Sequence, residues 1–159
     1  KGVPPLAEAA RCRPGLASVV AGHFDPADRW VRAWRAAAPP NVTFTGRLAR
    51  GALRDLYARA HVYVQLSLHE GFGVAVAEGL GAGCVPVVTP LPSLVWIAGS
   101  ASEPVAGDAG PAVIAGALDR ALARQPPPDC APELERRYGM DARRAALSAM
   151  VRRYAPARS

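Results

Sequence analysis

Two glutamates, Glu70 and Glu78, separated by seven residues, bracket the turn Gly71-Phe72-Gly73. The segment before them, Val62–Leu66, is apolar enough for a buried strand, and the segment from Gly73 to Gly83 has the spacing of a helix. A strand, a glycine-containing turn and a helix start make an anion site, because free N–H groups of the first helical turn point at the ligand and glycine lets the backbone come close. The plain reading of Gly71 and Gly73 is a tight strand-to-helix connection. Glu78 adds information, since it is the only charged residue between Glu70 and Glu103. The positions three and four away hold Ala75, Gly81, Val74 and Ala82, so no basic side chain shares its helix face. Such a carboxylate either points into solvent at an edge or meets a polar ligand. For Glu70, the helix dipole alone is sufficient reason for an acid at that place.

Other chemistries have less support. His23, His61 and His69 show no i, i+4 pairing and have no cysteine at zinc-ligand spacing. Neither a metal nor a cofactor is expected. Cys12, Cys84 and Cys130 form neither a C-x-x-C pair nor an even set, which predicts reduced thiols in a cytoplasmic protein. There is no signal-peptide pattern and no run of about 18 apolar residues.

Charge is uneven along the chain. Twelve basic side chains in residues 1–135 meet twelve acidic ones, whereas residues 136–159 hold Arg136, Arg137, Arg143, Arg144, Arg152, Arg153 and Arg158 against Asp141 alone. The isoelectric point near 9.9 therefore describes a basic C-terminal tail. Without a basic groove surface or interleaved aromatics, nucleic acid is not an expected partner. The tail reads as the solvated side of an amphipathic helix packed through Leu147, Met150, Val151 and Tyr154. Peripheral contact with an anionic membrane is its functional alternative.

The elements that must position the glutamates alternate. Strands are predicted at Leu16–Ala21, Val42–Thr45, Val62–Leu66 and Val85–Val88. Helices are predicted from about Pro26 to Ala38 with Asp25 as cap, and over Arg50–Arg59, Gly73–Gly83, Ala112–Arg124 and Asp141–Tyr154. Residues 93–110 are ambiguous, and Gln125–Pro128 is a proline-rich connector. This order argues for an α/β domain with a doubly wound parallel sheet, whose ligands bind at the carboxyl ends of the strands.

The run from Glu70 to Val88, with Gly-Phe-Gly and Pro86-Val87-Val88, resembles the E-x7-E signature of retaining GT-B glycosyltransferases of the family 4 group. Asn41–Leu48 is similar to that family's "NVxFxGxl" strand end, and Leu56–Ser67 to its "lyxxadvxvxpS" helix and strand. Lys1-Gly2 is similar to its "KG" element, and Tyr138–Tyr154 to its closing helix. The resemblance implies a Rossmann-like C-terminal half of a GT-B fold, 1–159 forming one nucleotide-sugar-binding domain closed by the helix of 141–159. It also implies that the N-terminal acceptor domain and the first strand are not in this chain, which accords with the absence of an initiator Met. Leu16–Ala21 and Val62–Leu66 would then lack their common neighbour, and the fragment alone would be inactive.

The implied partner is a nucleoside-diphosphate sugar, transferred with retention to an acceptor the sequence does not name. Glu70 would contact the transferred sugar as the catalytic residue, and Glu78 the ribose hydroxyls. Ser67, Gly71, Phe72, Gly73 and Val74 would line the sugar and phosphates. Gly46, Arg47 and Leu48 would border the base, and Lys1 would neutralise the diphosphate. Two alternatives share the architecture: a GT-B sugar-nucleotide epimerase, and a non-catalytic nucleotide-binding or assembly subunit. The chain departs from the family in Pro92-Ser93, where many relatives have Pro-Glu. It also carries Gly79 and Gly81 in place of the usual alanines, at about 1 kcal/mol of helix propensity each.

Overall fold

The structure is a computed structural model that describes residues 2–124 and 131–154. Its centre is β4 (Val85–Val88), buried at every position. It pairs in parallel with β3 (Val62–Gln65) on one side and β5 (Glu103–Pro104) on the other. A parallel strand needs a crossover on the way back, and here α4 (Val74–Gly81) links β3 to β4 while α5 (Pro92–Ala98) links β4 to β5. The alternation of β4 side chains serves both faces. Val85 and Val87 pack with Ile114, Ala117 and Leu118 of α6 (Pro111–Ala123), and Val88 packs with Val76, Leu80, Leu94 and Ile97 of α4 and α5. β5 is pinned by Glu103, whose buried carboxylate meets Arg120 at 3.0 Å and Arg124 at 2.6 Å.

The expected single sheet is two sheets. β1 (Ser18–Ala21) pairs in parallel with β2 (Val42–Gly46) across α2 (Arg29–Ala37), and no strand pairing joins this pair to β3 among the described residues. β1 and β3 thus each keep an edge without a strand partner, as the resemblance implies. What bridges them is a helix. In α1 (Val3–Arg11), Ala9 packs with Leu66, Val85 and Val87, while Ala10 packs with Val20 and Val42.

Several boundaries are corrected. No element is predicted before Leu16, yet α1 lies there, with Pro4 and Pro5 in its first turn, where the missing N–H is no loss. The start of α2 falls at Arg29, because Asp28 caps it by accepting from Trp30 N at 2.7 Å. Asp25, the expected cap, accepts from Ala27 N and makes a separate turn. α3 (Arg50–Arg59) lies as predicted, and the ambiguous region becomes α5, a 3-10 turn at Gly99–Ala101 and β5. α7 (Ala131–Tyr138) precedes α8 (Met140–Tyr154). Leu147, expected on the packed face of that last helix, is 48% exposed. The connector Gln125–Pro128, Cys130 and the side chains of Met150, Val151 and Tyr154 lie outside the described residues. No described helix is long and apolar enough to cross a membrane.

Candidate active site

β3 ends at Gln65, and the chain then runs through Leu66 and Ser67 into the turn that precedes α4. Gly73 is the N-cap of α4 at φ +87° and offers no side-chain cap; Val76 N bonds the Gly73 carbonyl, and the Val74 and Ala75 amides face the helix start. A Cβ on Gly73 would come within 2.6 Å of Leu94 Cδ2, so position 73 demands glycine both for its dihedral and for its space. A second helix starts at the same strand end. Gly2, the uncapped N-cap of α1 at φ +76°, lies so close to Leu66 that a Cβ there would collide with its backbone. Two helix N-termini therefore approach the end of β3, a concentration of partial positive charge.

Ser67, next in the chain after Leu66, has 0% exposure, and its Oγ has no hydrogen-bond partner. Its carbonyl accepts from Thr89 Oγ1 at 2.5 Å, which ties the ends of β3 and β4 together. A buried hydroxyl without a partner costs about 1–3 kcal/mol, so such groups commonly serve a ligand.

The two glutamates are held separately. Glu70, half-buried, accepts from Gln65 Nε2 at 2.5 Å and from the Gly71 amide at 3.2 Å, and its own carbonyl accepts from Ser93 Oγ. Glu78 is exposed on α4 and accepts from the Tyr57 hydroxyl of α3 at 3.4 Å. Burial and the nearby Glu78 carboxylate raise the Tyr57 pKa, which keeps it a hydrogen-bond donor. Phe72 and Val74 are exposed. The Phe72 ring meets Trp96 and Tyr138 edge-on at 6.3 and 5.6 Å, and Arg137 lies 4.8 Å over Trp96, which supports the turn from α5 and α7.

Of the residues predicted from sequence, Ser67, Glu70, Gly71, Phe72, Gly73, Val74 and Glu78 are gathered on this one strand–turn–helix unit. Gly46, Arg47 and Leu48 are not among them: Gly46 ends β2 in the other sheet, and Arg47, exposed, and Leu48, half-buried, follow it. Lys1 lies outside the described residues. The sequence reading passed over Tyr57, Tyr63, Gln65 and Thr89. Gln65 carried a signal, as the one amide in an otherwise apolar strand. Tyr57 did not, because its approach to Glu78 depends on how α3 packs beside α4.

Residues 1–144 match the family described as glycosyl transferases group 1. The chain belongs to that family. Among curated proteins it is similar to the GDP-mannose:cellobiosyl-diphosphopolyprenol alpha-mannosyltransferase of Xanthomonas campestris, 34% identical over 62% of this chain and 23% of the relative. The protein of the same name from Xanthomonas oryzae pv. oryzae (strain PXO99A) is 40% identical over 33% of this chain and 14% of the relative. Among solved structures, AviGT4, a glycosyltransferase involved in avilamycin A biosynthesis, superposes with a TM-score of 0.69 over 97% of this chain and 48% of its own, at 21% identity. This chain thus spans about half of that structure and less than a quarter of either mannosyltransferase. The fold is that of a Rossmann-like half of a GT-B glycosyltransferase.

Proposed function

We propose that this group 1 glycosyl transferase chain is the donor-binding half of a retaining enzyme of the family 4 type, moving mannose from GDP-mannose to an acceptor. The observation that carries the proposal is that Glu70 and Glu78 are held by different neutral donors on either side of a glycine-led, uncapped helix start. The two relatives named for GDP-mannose support the choice of donor.

In this reading the diphosphate sits over the start of α4, where the first-turn amides meet its oxygens and the buried Ser67 lies beneath. Glu78 accepts from the two ribose hydroxyls, with Tyr57 fixing its carboxylate. Glu70 faces the mannosyl group as positive charge develops there. As the glycosidic C–O bond opens, negative charge flows onto the diphosphate, and the helix N-terminus together with Lys1 stabilises it without a metal. The protein's main work is to align donor and acceptor and to receive that charge.

The test separates the glutamates in the full-length enzyme. Glu78→Gln is expected to weaken GDP and GDP-mannose alike, by about 1–3 kcal/mol for a lost charge-assisted hydrogen bond. Glu70→Gln should leave GDP affinity unchanged and lower turnover and GDP-mannose affinity. Calorimetry with each ligand reads both. If both variants bind both ligands like the parent while melting lower, the glutamates are structural and the proposal fails.

A further inference from the structure

The Glu70 carboxylate is the end of a short hydrogen-bond chain that begins inside the core. Tyr63 and Gln65 are two residues apart on β3 and so share a face of the strand. The Tyr63 hydroxyl donates to Gln65 Oε1 at 2.8 Å, and Gln65 Nε2 donates to Glu70 Oε2 at 2.5 Å. Gln65 is only 5% exposed. A buried amide is costly unless both ends are satisfied, and a satisfied network is rigid. This one also has a direction. With Tyr63 supplying the proton to the oxygen end, the NH2 end must face Glu70, and the flipped amide would set its oxygen against a carboxylate oxygen.

The surroundings are shaped to hold Tyr63 where it is. A Cβ at Gly79 on α4 would come within 3.0 Å of both Cβ and Cγ of Tyr63, so the helix that carries Glu78 lacks a methyl where the tyrosine lies. Gly79 is one of the glycines that weaken α4 by composition, and its place is explained by the ring it accommodates. The Tyr63 ring also leans on Tyr57, with centroids 5.9 Å apart, and Tyr57 is the residue that holds Glu78. Gln65 and the Gly71 amide grip opposite oxygens of the Glu70 carboxylate, which sets its plane.

We propose that Gln65, aligned by Tyr63 in the space left by Gly79, is a positioning residue that fixes the Glu70 carboxylate for the bound sugar. The proposal rests on the reading of Glu70 as the sugar-facing carboxylate. A merely structural Gln65 would affect stability and treat every ligand alike.

The experiment uses the full-length protein with GDP and GDP-mannose as probes. Gln65→Leu keeps the size and removes both hydrogen bonds. It is expected to weaken GDP-mannose by about tenfold while leaving GDP within about twofold of the parent. Tyr63→Phe, which frees the amide to turn, should show the same split at smaller size. Equal affinities for both ligands, or an equal loss of both accompanied by a lower melting temperature, would overturn the proposal. A parent protein that binds neither probe would instead defeat the transferase reading, and the positioning is then read without ligand. A crystal structure of Gln65→Leu should find the Glu70 carboxylate turned from the place it holds in the parent, against the Gly71 amide. An unmoved carboxylate would sink the positioning role in that case too.

Discussion

Gly73, which starts α4 after β3, and Gly46, the last residue of β2, both take positive φ, and their surroundings differ sharply. After β3, Gly73 at φ +87° is wedged against Leu94, a fully buried side chain. At the end of β2, Gly46 at φ +71° has nothing within 4 Å of the place a Cβ would take. The sheets behind them differ in the same way. β4 is buried at all positions, whereas β1 and β2 each bury one residue and expose others. The carboxylates and the α4 helix start therefore belong to the well-buried part, and the Gly46–Leu48 edge to a thinly covered ribbon. In the proposed function, the residues assigned to sugar and phosphate thus lie in the well-packed part, and those assigned to the base lie in the thinly covered one.

The largest expected effect comes from substituting the two glycines. Gly73→Ala should cost about 2–5 kcal/mol, combining about 1–2 for a left-handed non-glycine residue with about 1–3 for crowding a core that cannot yield. Gly46→Ala carries only the first part, about 1–2 kcal/mol. Urea unfolding of both variants measures the difference. Equal losses would mean that the two strand ends are equally supported and that the contrast is false.

A medium effect is expected at Asn41, which serves the thin sheet. Its Nδ2 donates to the carbonyls of Ala10, Arg13 and Leu16 at 3.1, 2.9 and 2.9 Å, so one side chain ties the end of α1 to the approach of β1. Asn41→Ala takes this donor from all three carbonyls; those of Ala10 and Arg13 keep the amides of Arg13 and Leu16, so the cost, about 1–3 kcal/mol, falls mainly at Leu16. Hydrogen exchange should then speed up in β1 and β2 while β3 and β4 keep their protection. A uniform rise across both sheets would show that they open as one unit.

How much of this was legible beforehand follows the same division. The strand–turn–helix with its two glutamates was readable because its signals are local: an apolar strand, two glycines and an isolated carboxylate on a helix. α3, β2 and β4 were readable for the same reason. What escaped was context. α1 hid behind Pro4 and Pro5, which break helices in the interior but not in the first turn. α5 hid because Leu94, Val95, Trp96 and Ile97 run consecutively, without the 3.6-residue period that marks a helix with one wet face. Gly79 looked like a defect until Tyr63 was seen to lie against it. That β1 and β3 lack a common neighbour was expected only through family resemblance, and the resulting split into two sheets was not foreseen, since no local pattern tells which strands are neighbours.

The smallest effect concerns the staple that holds α1, the bridge between the two regions, to α6. Arg13 donates from Nε to Asp119 Oδ1 at 2.8 Å and Oδ2 at 3.0 Å, and Nη2 also contacts Oδ2. That hydrogen bond, helped by the guanidinium charge, holds the Asp119 carboxyl below the ordinary carboxylate range. A depressed folded-state pKa gives stability that is present above the unfolded-state value and is lost as pH falls through the folded one. Both side chains are exposed, so water and salt screen the pair and its contribution is small. Asp119→Asn should therefore melt slightly below the parent at neutral pH and low salt. The gap should begin to close as the pH falls below about 4, where the unfolded chain's carboxylate takes up its proton, and vanish below the depressed folded-state value; raising salt should also narrow it. A gap that persists unchanged in acid and in high salt would show that α1 is held by its buried alanines alone and that the ion pair contributes nothing to joining the two sheets.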